Sequence, residues 1–453
     1  LHQVFKEALN LLLKTFKGGV HPNDCKRFTK DFAIEEMPAP PTMIFPIIQH
    51  IGAPSEIVVK KGDYVKVGQL IAKQTGFVSA NHHSSVSGTV KSIEAHFHPN
   101  GSMVDSIIIE NDGKYDVFED VKPAKPLEQL TDKEIVQIVS DAGIVGMGGA
   151  SFPTHVKLVP PEGTRIDYVI INCAECEPYL TSDYRAMLED GDDIIFGCKA
   201  IMKALSAPKC LIVVEDNKKD AARHLENLLK DEENISVVVV KTKYPQGSEK
   251  HIIFSATGRK VPSGKLPADV GVFVANTDTA ASIARAVKTG MPLISRIVTV
   301  TGGAIKNKKN LRVRIGTPIR NVIEAAGGFV AEPERIILGG PMMGKGVFSI
   351  DLPVIKGTSA ILAMTKEDLG INVVTNCTRC GKCVQACPMR LVPVTLAMHS
   401  KNENEEMLKK YHVTDCIECG ACSYICPARK DPLQMIRVGK RYVIDRARMK
   451  KAQ

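Results

Sequence analysis

Apolar positions change their period several times along this chain, and the changes divide it. Over residues 1–16, Leu1, Val4, Phe5, Ala8, Leu9, Leu12, Leu13 and Phe16 fall at i, i+3, i+4 spacing. That predicts an amphipathic helix closed by Gly18 and Gly19, packed on its own protein or docked on a partner or membrane surface. From about 40 to 112 short alternating runs punctuated by Gly, Pro and Asn predict strands. Pro123 and Pro126 mark a linker, after which Thr131 and Glu134 form a capping box that opens a helix reaching about Ala142. Residues 168–172, 210–214 and 236–240 are continuous apolar runs, and 216–230 has helical spacing. Together they predict an α/β layer with a largely parallel sheet. A strand at Ile297, a hairpin into LRVRI, a helix over 318–326 and a strand over 335–338 predict a small β-grasp-like domain. Beyond about 366 the strand pattern stops and helical stretches remain.

The expected fold class is therefore multidomain, α/β and α+β. Its parts are an N-terminal helix (1–17), a barrel-sandwich domain (18–120), an α/β domain (121–290), a β-grasp-like domain (291–365) and a helical domain (366–453). The barrel-sandwich assignment rests on two similar halves, EIVVKKGDYVKVGQLIA (56–72) and SVSGTVKSIEAHFHPNGSMVDSIIIE (85–110). They resemble the lipoyl and biotinyl carrier fold. Carriers present a modifiable lysine between the halves, whereas here no lysine lies between Lys73 and Lys91, so a swinging-arm role is not expected. His82 and His83 fall at that tip and read as a solvated turn in preference to a metal site.

A length of 453 residues corresponds to about three domains at ~150 residues each. The composition excludes wholesale disorder, and no apolar run approaches the ~20 residues of a membrane-spanning helix. Nothing resembles a signal peptide. A net charge of +9 fits an acidic partner, a membrane surface or nucleic acid, but no nucleic-acid motif or aromatic-basic platform accompanies it. The basic run IKNKKNLRVR (305–314) reads as a solvated face or as a docking surface for an acidic partner.

Eight of the 13 cysteines lie between Cys377 and Cys426. Cys377-x2-Cys380-x2-Cys383-x3-Cys387-Pro recurs as Cys416-x2-Cys419-x2-Cys422-x3-Cys426-Pro. Such runs bind [4Fe–4S] clusters, and the fourth cysteine of each run ligates the other cluster in two-cluster ferredoxins. One centre is thus expected on Cys377, Cys380, Cys383 and Cys426, the second on Cys416, Cys419, Cys422 and Cys387. Zinc, which uses paired C-x2-C ligands, is the rival that two complete runs with trailing prolines disfavour. The long helical segment between the runs favours an α-helical ferredoxin form. The other five cysteines read as small buried hydrophobes.

A Gly-rich loop, GIVGMGGASFPTHVK (143–157), follows a helix and not a strand, so it does not fit a Rossmann fingerprint. Its backbone N–H groups could still approach a phosphate or a flat ring closely. NCAECEP (172–178) follows the strand at 168–171, at the strand end where open α/β sheets bind ligands. Residues 146–157 resemble the RGGAGFPTGLK loop of the flavoprotein subunit of respiratory complex I. Residues 172–178 resemble its NADExEP motif, 244–249 (YPQGSE) its YxxGEE segment, and 276–279 (NTDT) its NNVET segment. With the barrel-sandwich start, FKGGVHP (16–22), GGPMMG (339–344) and the two-cluster end, the chain is similar over about 16–440 to the RnfC family, the C subunits of Rnf electron-transport complexes. Those complexes couple electron transfer between ferredoxin and NAD to ion movement across a membrane.

The resemblance implies FMN contacts from Gly146, Gly148, Lys157, Asn172, Glu175, Asn276 and Thr279. It implies nicotinamide-nucleotide contacts from Phe152, Glu177, Tyr244 and Glu249, with Glu177 and Phe152 nearest the chemistry. It also implies a peripheral subunit on the cytoplasmic face of the cell membrane. NAD(H) would be its substrate, and membrane-embedded and iron–sulfur subunits its partners, with ferredoxin reached indirectly. The chain departs from the flavoprotein pattern at Ala174, Ser248 and Ala275, where polar residues are usual. The alternative expectation is accordingly a flavin-free iron–sulfur adaptor.

Overall fold

The computed structural model describes residues 14–370 and 373–452. All but residues 14–16 of the helix expected over 1–16 lies outside the described residues.

Four parallel strands form the central α/β sheet in the order Ile235–Val240, Lys209–Glu215, Tyr168–Cys173, Val272–Asn276. Their continuous apolar runs follow from burial of both faces. Val169, Ile171, Ile212 and Val214 enter one core, while Ile170, Val213, Val240 and Val274 enter the other. The chain moves outward from Tyr168–Cys173 through two strands and then returns to that strand's other side. This reversal makes a switch point between Tyr168–Cys173 and Val272–Asn276, with Asn172 and Asn276 paired in register at its C-terminal end. Asn276 then caps the helix Thr277–Thr289, its side-chain oxygen accepting from Asp278 N at 3.0 Å. Gly290, at φ 75°, ends that helix. The expected capping box is present as well, with Thr131 N donating to Glu134 at 2.8 Å at the start of Asp132–Asp141.

The barrel-sandwich pairs a four-stranded sheet (Thr42–Pro46, Met103–Asn111, Gly88–Phe97, Tyr64–Val65) with a three-stranded one (Glu56–Ile57, Leu70–Lys73, His82–His83). Met43, Phe45, Val65, Ile71, Ile107 and Ile109 fill it. His82 and His83 are not a solvated turn. They form a strand and are 2% and 9% exposed, because this tip is wedged against the next domains. His82 stacks on His50 at 5.4 Å, and burial pushes the imidazoles down, His83 to about 3. Beneath them Lys356 is wholly buried and donates to Asn81 O at 2.5 Å and Gly143 O at 2.7 Å.

The third domain is a six-stranded mixed sheet in the order Ile34–Glu36, Lys309–Arg314, Ser295–Thr301, Ala360–Met364, Arg335–Leu338, Lys345–Val347. Helix Ile319–Ala325 covers it through Ile319, Val322 and Ile323. The sheet is larger than the expected β-grasp-like unit because its edge strand, Ile34–Glu36, comes from far upstream. That strand also changes the reading of the basic run. Lys309 pairs with Glu35 at 2.7 Å and Arg312 with Glu36 at 2.9 Å, while Asn310, Leu311 and Val313 are buried. Lys306 and Asn307 alone of the run are fully exposed, so it is an interior strand and not a solvated face.

Helices Lys382–Ala386, Pro393–Lys401, Glu405–Lys410, Ala421–Tyr424 and Pro432–Ala452 make the last domain, as the loss of strand pattern predicted. Leu391, Leu396, Leu408, Val413 and Ile436 form its core.

Two expectations follow. A Cβ at Gly290 lies 2.1 Å from Lys122 O, in a left-handed conformation. Gly290→Ala should therefore cost more than about 1 kcal/mol, read as a lower denaturant midpoint. Burial pushes the Lys356 ammonium down to about 7, from an ordinary 10.5. Between those values the unfolded chain binds the extra proton, so this group makes stability rise with pH above about 7. Denaturation across pH 7 to 10 should show Lys356→Met lacking that rise.

Candidate functional site

The switch point gathers five of the predicted residues. Gly146 N donates to Phe152 O at 2.8 Å, closing the base of the glycine loop. Met147 N donates to Thr279 Oγ1 at 3.0 Å, so Thr279 holds the loop from the helix behind it. Gly148 lies against Asn276, where a Cβ would sit 3.0 Å from the amide, and Gly149 is open, with nothing within 4 Å of its own Cβ position. Asn276 Nδ2 in turn donates to Asp183 at 2.8 Å.

A second group lies alongside. Asn172 Nδ2 donates to Gly247 O at 2.7 Å. Lys157 Nζ reaches Val274 O at 2.6 Å and Glu249 at 3.2 Å. Glu175, at φ 45°, is buried and accepts from Asp183 N at 2.7 Å. Glu177 faces GGPMMG, accepting from Met342 N at 3.1 Å and Met343 N at 2.9 Å. Desolvation pushes its carboxyl up to about 7, against these two N–H donors and Lys26.

Tyr244 is not where the resemblance put it. The side chain is 1% exposed, packed with Val20, Ala386, Cys419 and Ala421, and its hydroxyl donates to Cys419 O at 2.6 Å. The ring is thus closed off from a nucleotide and joins the α/β domain to the cysteine domain. The backbone pairing of Val20 with Tyr244 holds the strap against this residue. The three departures also have places. Ala174 and Ala275 face the apolar cores of the sheet, and Ser248 Oγ lies 3.1 Å from His251 Nδ1.

Several contributors escaped the sequence reading. Buried Lys26 reaches Glu175 at 3.4 Å and the carbonyls of Glu177 and Leu180 at 3.1 and 2.5 Å. Lys218, also buried, donates to Ala174 O at 2.7 Å. Burial beside Glu175 pushes Asp183 up to about 7. Gln246 is fully buried with neither amide atom hydrogen-bonded. The only signal for Lys26 was its closeness to FKGGVHP; isolated Lys, Asp and Gln residues carry none. This donor set suits a phosphorylated flavin. It offers loop N–H groups at a position without side chains and an ammonium at Lys157.

The eight cysteines lie in two neighbouring stretches of the last domain. Cys387, Cys416, Cys419 and Cys422 line one cavity, walled by Leu391 and Ile436. Leu391 N donates to Cys387 Sγ at 3.3 Å and Glu418 N to Cys416 Sγ at 3.4 Å. Cys419 and Cys422 are buried, and burial pushes both thiols up. In the other set Cys383 and Cys426 lie near each other, and Thr375 N to Ala428 O at 3.1 Å draws the Cys377 segment alongside. Cys377 and Cys380 are exposed. The runs share a backbone, with left-handed Arg379, Gly381 and Arg390 in one matching Glu418, Gly420 and Arg429 in the other. Among the described residues no three His, Cys, Asp or Glu side chains converge on a single-ion site. Four thiols spaced round a cavity fit a larger cubane instead.

A switch-point site joined at Tyr244 to a domain carrying two four-cysteine runs defines an electron-transfer protein of the flavin and iron–sulfur class. Family models agree segment by segment: the RnfC barrel sandwich hybrid domain matches residues 14–114, the Nuo51 FMN-binding domain 139–285, the SLBB domain 297–345 and the 4Fe-4S dicluster domain 370–429. The chain belongs to the RnfC family, the C subunits of ion-translocating ferredoxin:NAD(+) oxidoreductase complexes. It is 47% identical over 403 residues (89% of this chain, 88% of the relative) to the C subunit of the proton-translocating ferredoxin:NAD(+) oxidoreductase complex of Clostridium ljungdahlii. To the Na(+)-translocating counterpart of Acetobacterium woodii it is 46% identical over 440 residues (97% and 99%). To the C subunit of the ion-translocating oxidoreductase complex of Rhodobacter capsulatus it is 43% identical over 386 residues (84% and 74%).

Cys419→Ser and Cys380→Ser should each remove one cluster. Iron content should fall by about half, and the reduced protein should keep a single paramagnetic centre in each variant.

Proposed function

We propose that this chain is the peripheral NAD(H)-reactive subunit of a membrane ion-translocating ferredoxin:NAD oxidoreductase. It would exchange electrons between NAD(H), FMN and two [4Fe–4S] clusters, on the cytoplasmic face of the membrane. Membrane-embedded and iron–sulfur subunits would be its partners, with ferredoxin reached through them. Among the described residues no helix is long and apolar enough to cross a membrane, which suits a subunit docked on others. The domain limits proposed for these tasks are those read from the sequence, except that Ile34–Glu36 joins the sheet of the third domain.

The observation that carries this reading is the placing of Asn172 and Asn276 side by side at the switch point, with the glycine loop held over them. Gly146, Gly148 and Asn276 would hold the flavin's polar edge, with Asn172, Lys157 and Glu175 around them, while Thr279, buried behind the loop, would act by fixing it and not by touching the flavin as the resemblance implies. Phe152, Glu177 and Glu249 would bound the nucleotide. A bound flavin takes electrons as a hydride pair and releases them singly. The protein's own task is to orient the two rings and exclude water; the reading requires no residue to abstract a proton. Ala174 and Ala275, turned into the sheet core, favour the second reading of a flavin-free adaptor.

Anaerobically purified protein should contain FMN that bleaches when NADH is added; a flavin-free preparation would favour the adaptor. Glu177→Ala should slow NADH-driven flavin reduction at least tenfold in stopped-flow while both cluster signals persist. Unchanged kinetics would remove Glu177 from the nucleotide site.

A further inference from the structure

Residues 16–29 form a strap across the joint between the α/β and cysteine domains. At one end Gly19 N donates to Ala386 O at 2.8 Å, and a Cβ at Gly18 would lie 2.6 Å from Cys387 O, so the strap passes directly over a cluster-ligand carbonyl. In its middle Val20 and Tyr244 exchange backbone hydrogen bonds at 2.9 Å. Towards its far end Asp24 O accepts from Tyr179 N at 2.7 Å, and Thr29 Oγ1 meets Thr181 Oγ1 at 2.7 Å. Between these two contacts Lys26 drives its ammonium under the acidic loop.

That ammonium is an unusual choice for a tether. Lys26 is 5% exposed, and a buried cation loses several kcal/mol of hydration unless its surroundings compensate. A neutral donor could have met the carbonyls of Glu177 and Leu180. The charge itself is matched by Glu175, the residue proposed to touch the flavin. Glu175 also faces Asp183, a second buried acid with no cation in hydrogen-bond contact. Without Lys26 the loop would keep only the more distant charges of Lys218 on Glu175 and of Arg296 on Asp183, and would present more negative charge to a cofactor that gains negative charge on reduction.

We propose that Lys26 is a positioning residue that sets the flavin's reduction potential, its buried positive charge offsetting the acidic loop that bounds the flavin. The proposal rests on the flavin reading above. Electrostatics give its sign: a nearby cation favours the more negative redox state, so removing the cation lowers the potential. The strap therefore does two things with one segment. It clamps the cluster side to the flavin side, and it sets the charge at the flavin side.

The test uses the full chain, purified anaerobically, with Lys26→Gln and Lys26→Arg. Gln keeps a donor and removes the charge; Arg keeps the charge. Potentiometric titration of flavin absorbance should show Lys26→Gln lowering the two-electron equilibrium at least tenfold, about 30 mV for a two-electron couple. Lys26→Arg should restore at least half of that shift, and both cluster signals should match wild type. Flavin lost from Gln but retained by Arg would also support a charge requirement. A Gln variant with wild-type potential, equal effects in Gln and Arg, or loss of the clusters would overturn the proposal. Wild-type protein lacking flavin would overturn the flavin reading too, which separates the two failures.

Discussion

Everything in this molecule depends on one buried joint, where the Tyr244 ring is enclosed by the strap and by the second cysteine run. Its hydroxyl donates to the carbonyl of Cys419, and its backbone pairs with Val20. Electron transfer needs fixed geometry between donor and acceptor, and neither domain alone provides it. A hydrogen bond in a dry site gives direction as well as energy, so the joint sets orientation and not merely contact. His251 reinforces it, packing at a tilt against the Phe16 ring with centroids 4.5 Å apart and facing Pro388 O at 3.2 Å.

Buried lysines serve the same end elsewhere. Lys26, Lys218 and Lys356 each direct an ammonium at backbone carbonyls of loops that bound the site. An irregular loop exposes carbonyls that no helix or strand satisfies, and one ammonium can meet two or three of them. The cost is desolvation, which is why Lys218 and Lys356 have depressed affinities for their protons. Glycines complete the design where backbones come too close for any side chain, as Gly148 does against Asn276.

Much of this was legible in the sequence, for physical reasons. Apolar runs such as 168–172 announce a strand buried on both faces, and the repeated cysteine spacing announces cluster ligation because thiolates must wrap a cube. Motif likeness located the switch-point loops. Side-chain destinations decided by tertiary packing were not legible. Tyr244 belongs to a nucleotide-site motif yet turns into the domain joint, because the strap covers it. His82 and His83 look solvated in a turn-rich stretch, but another domain lies on them. The basic run over 305–314 reads as surface until the distant Ile34–Glu36 strand supplies its acidic neighbours. Local pattern shows what a segment can do, and long-range partners decide what it does.

That edge strand carries a consequence for how the molecule is made. Ile34–Glu36 pairs in parallel with Asn310–Arg312, and the strap just before it waits for Tyr244 and Ala386. The strap and this strand thus leave the ribosome long before the residues they bind. Loop closure over such separations is slow, and domains formed early must hold their shape without the strap. The barrel-sandwich and α/β layers can assemble during synthesis, whereas the joint closes only after the second cysteine run has emerged. Completion of the electron path is thereby a late, whole-chain event, and a truncated product cannot form it.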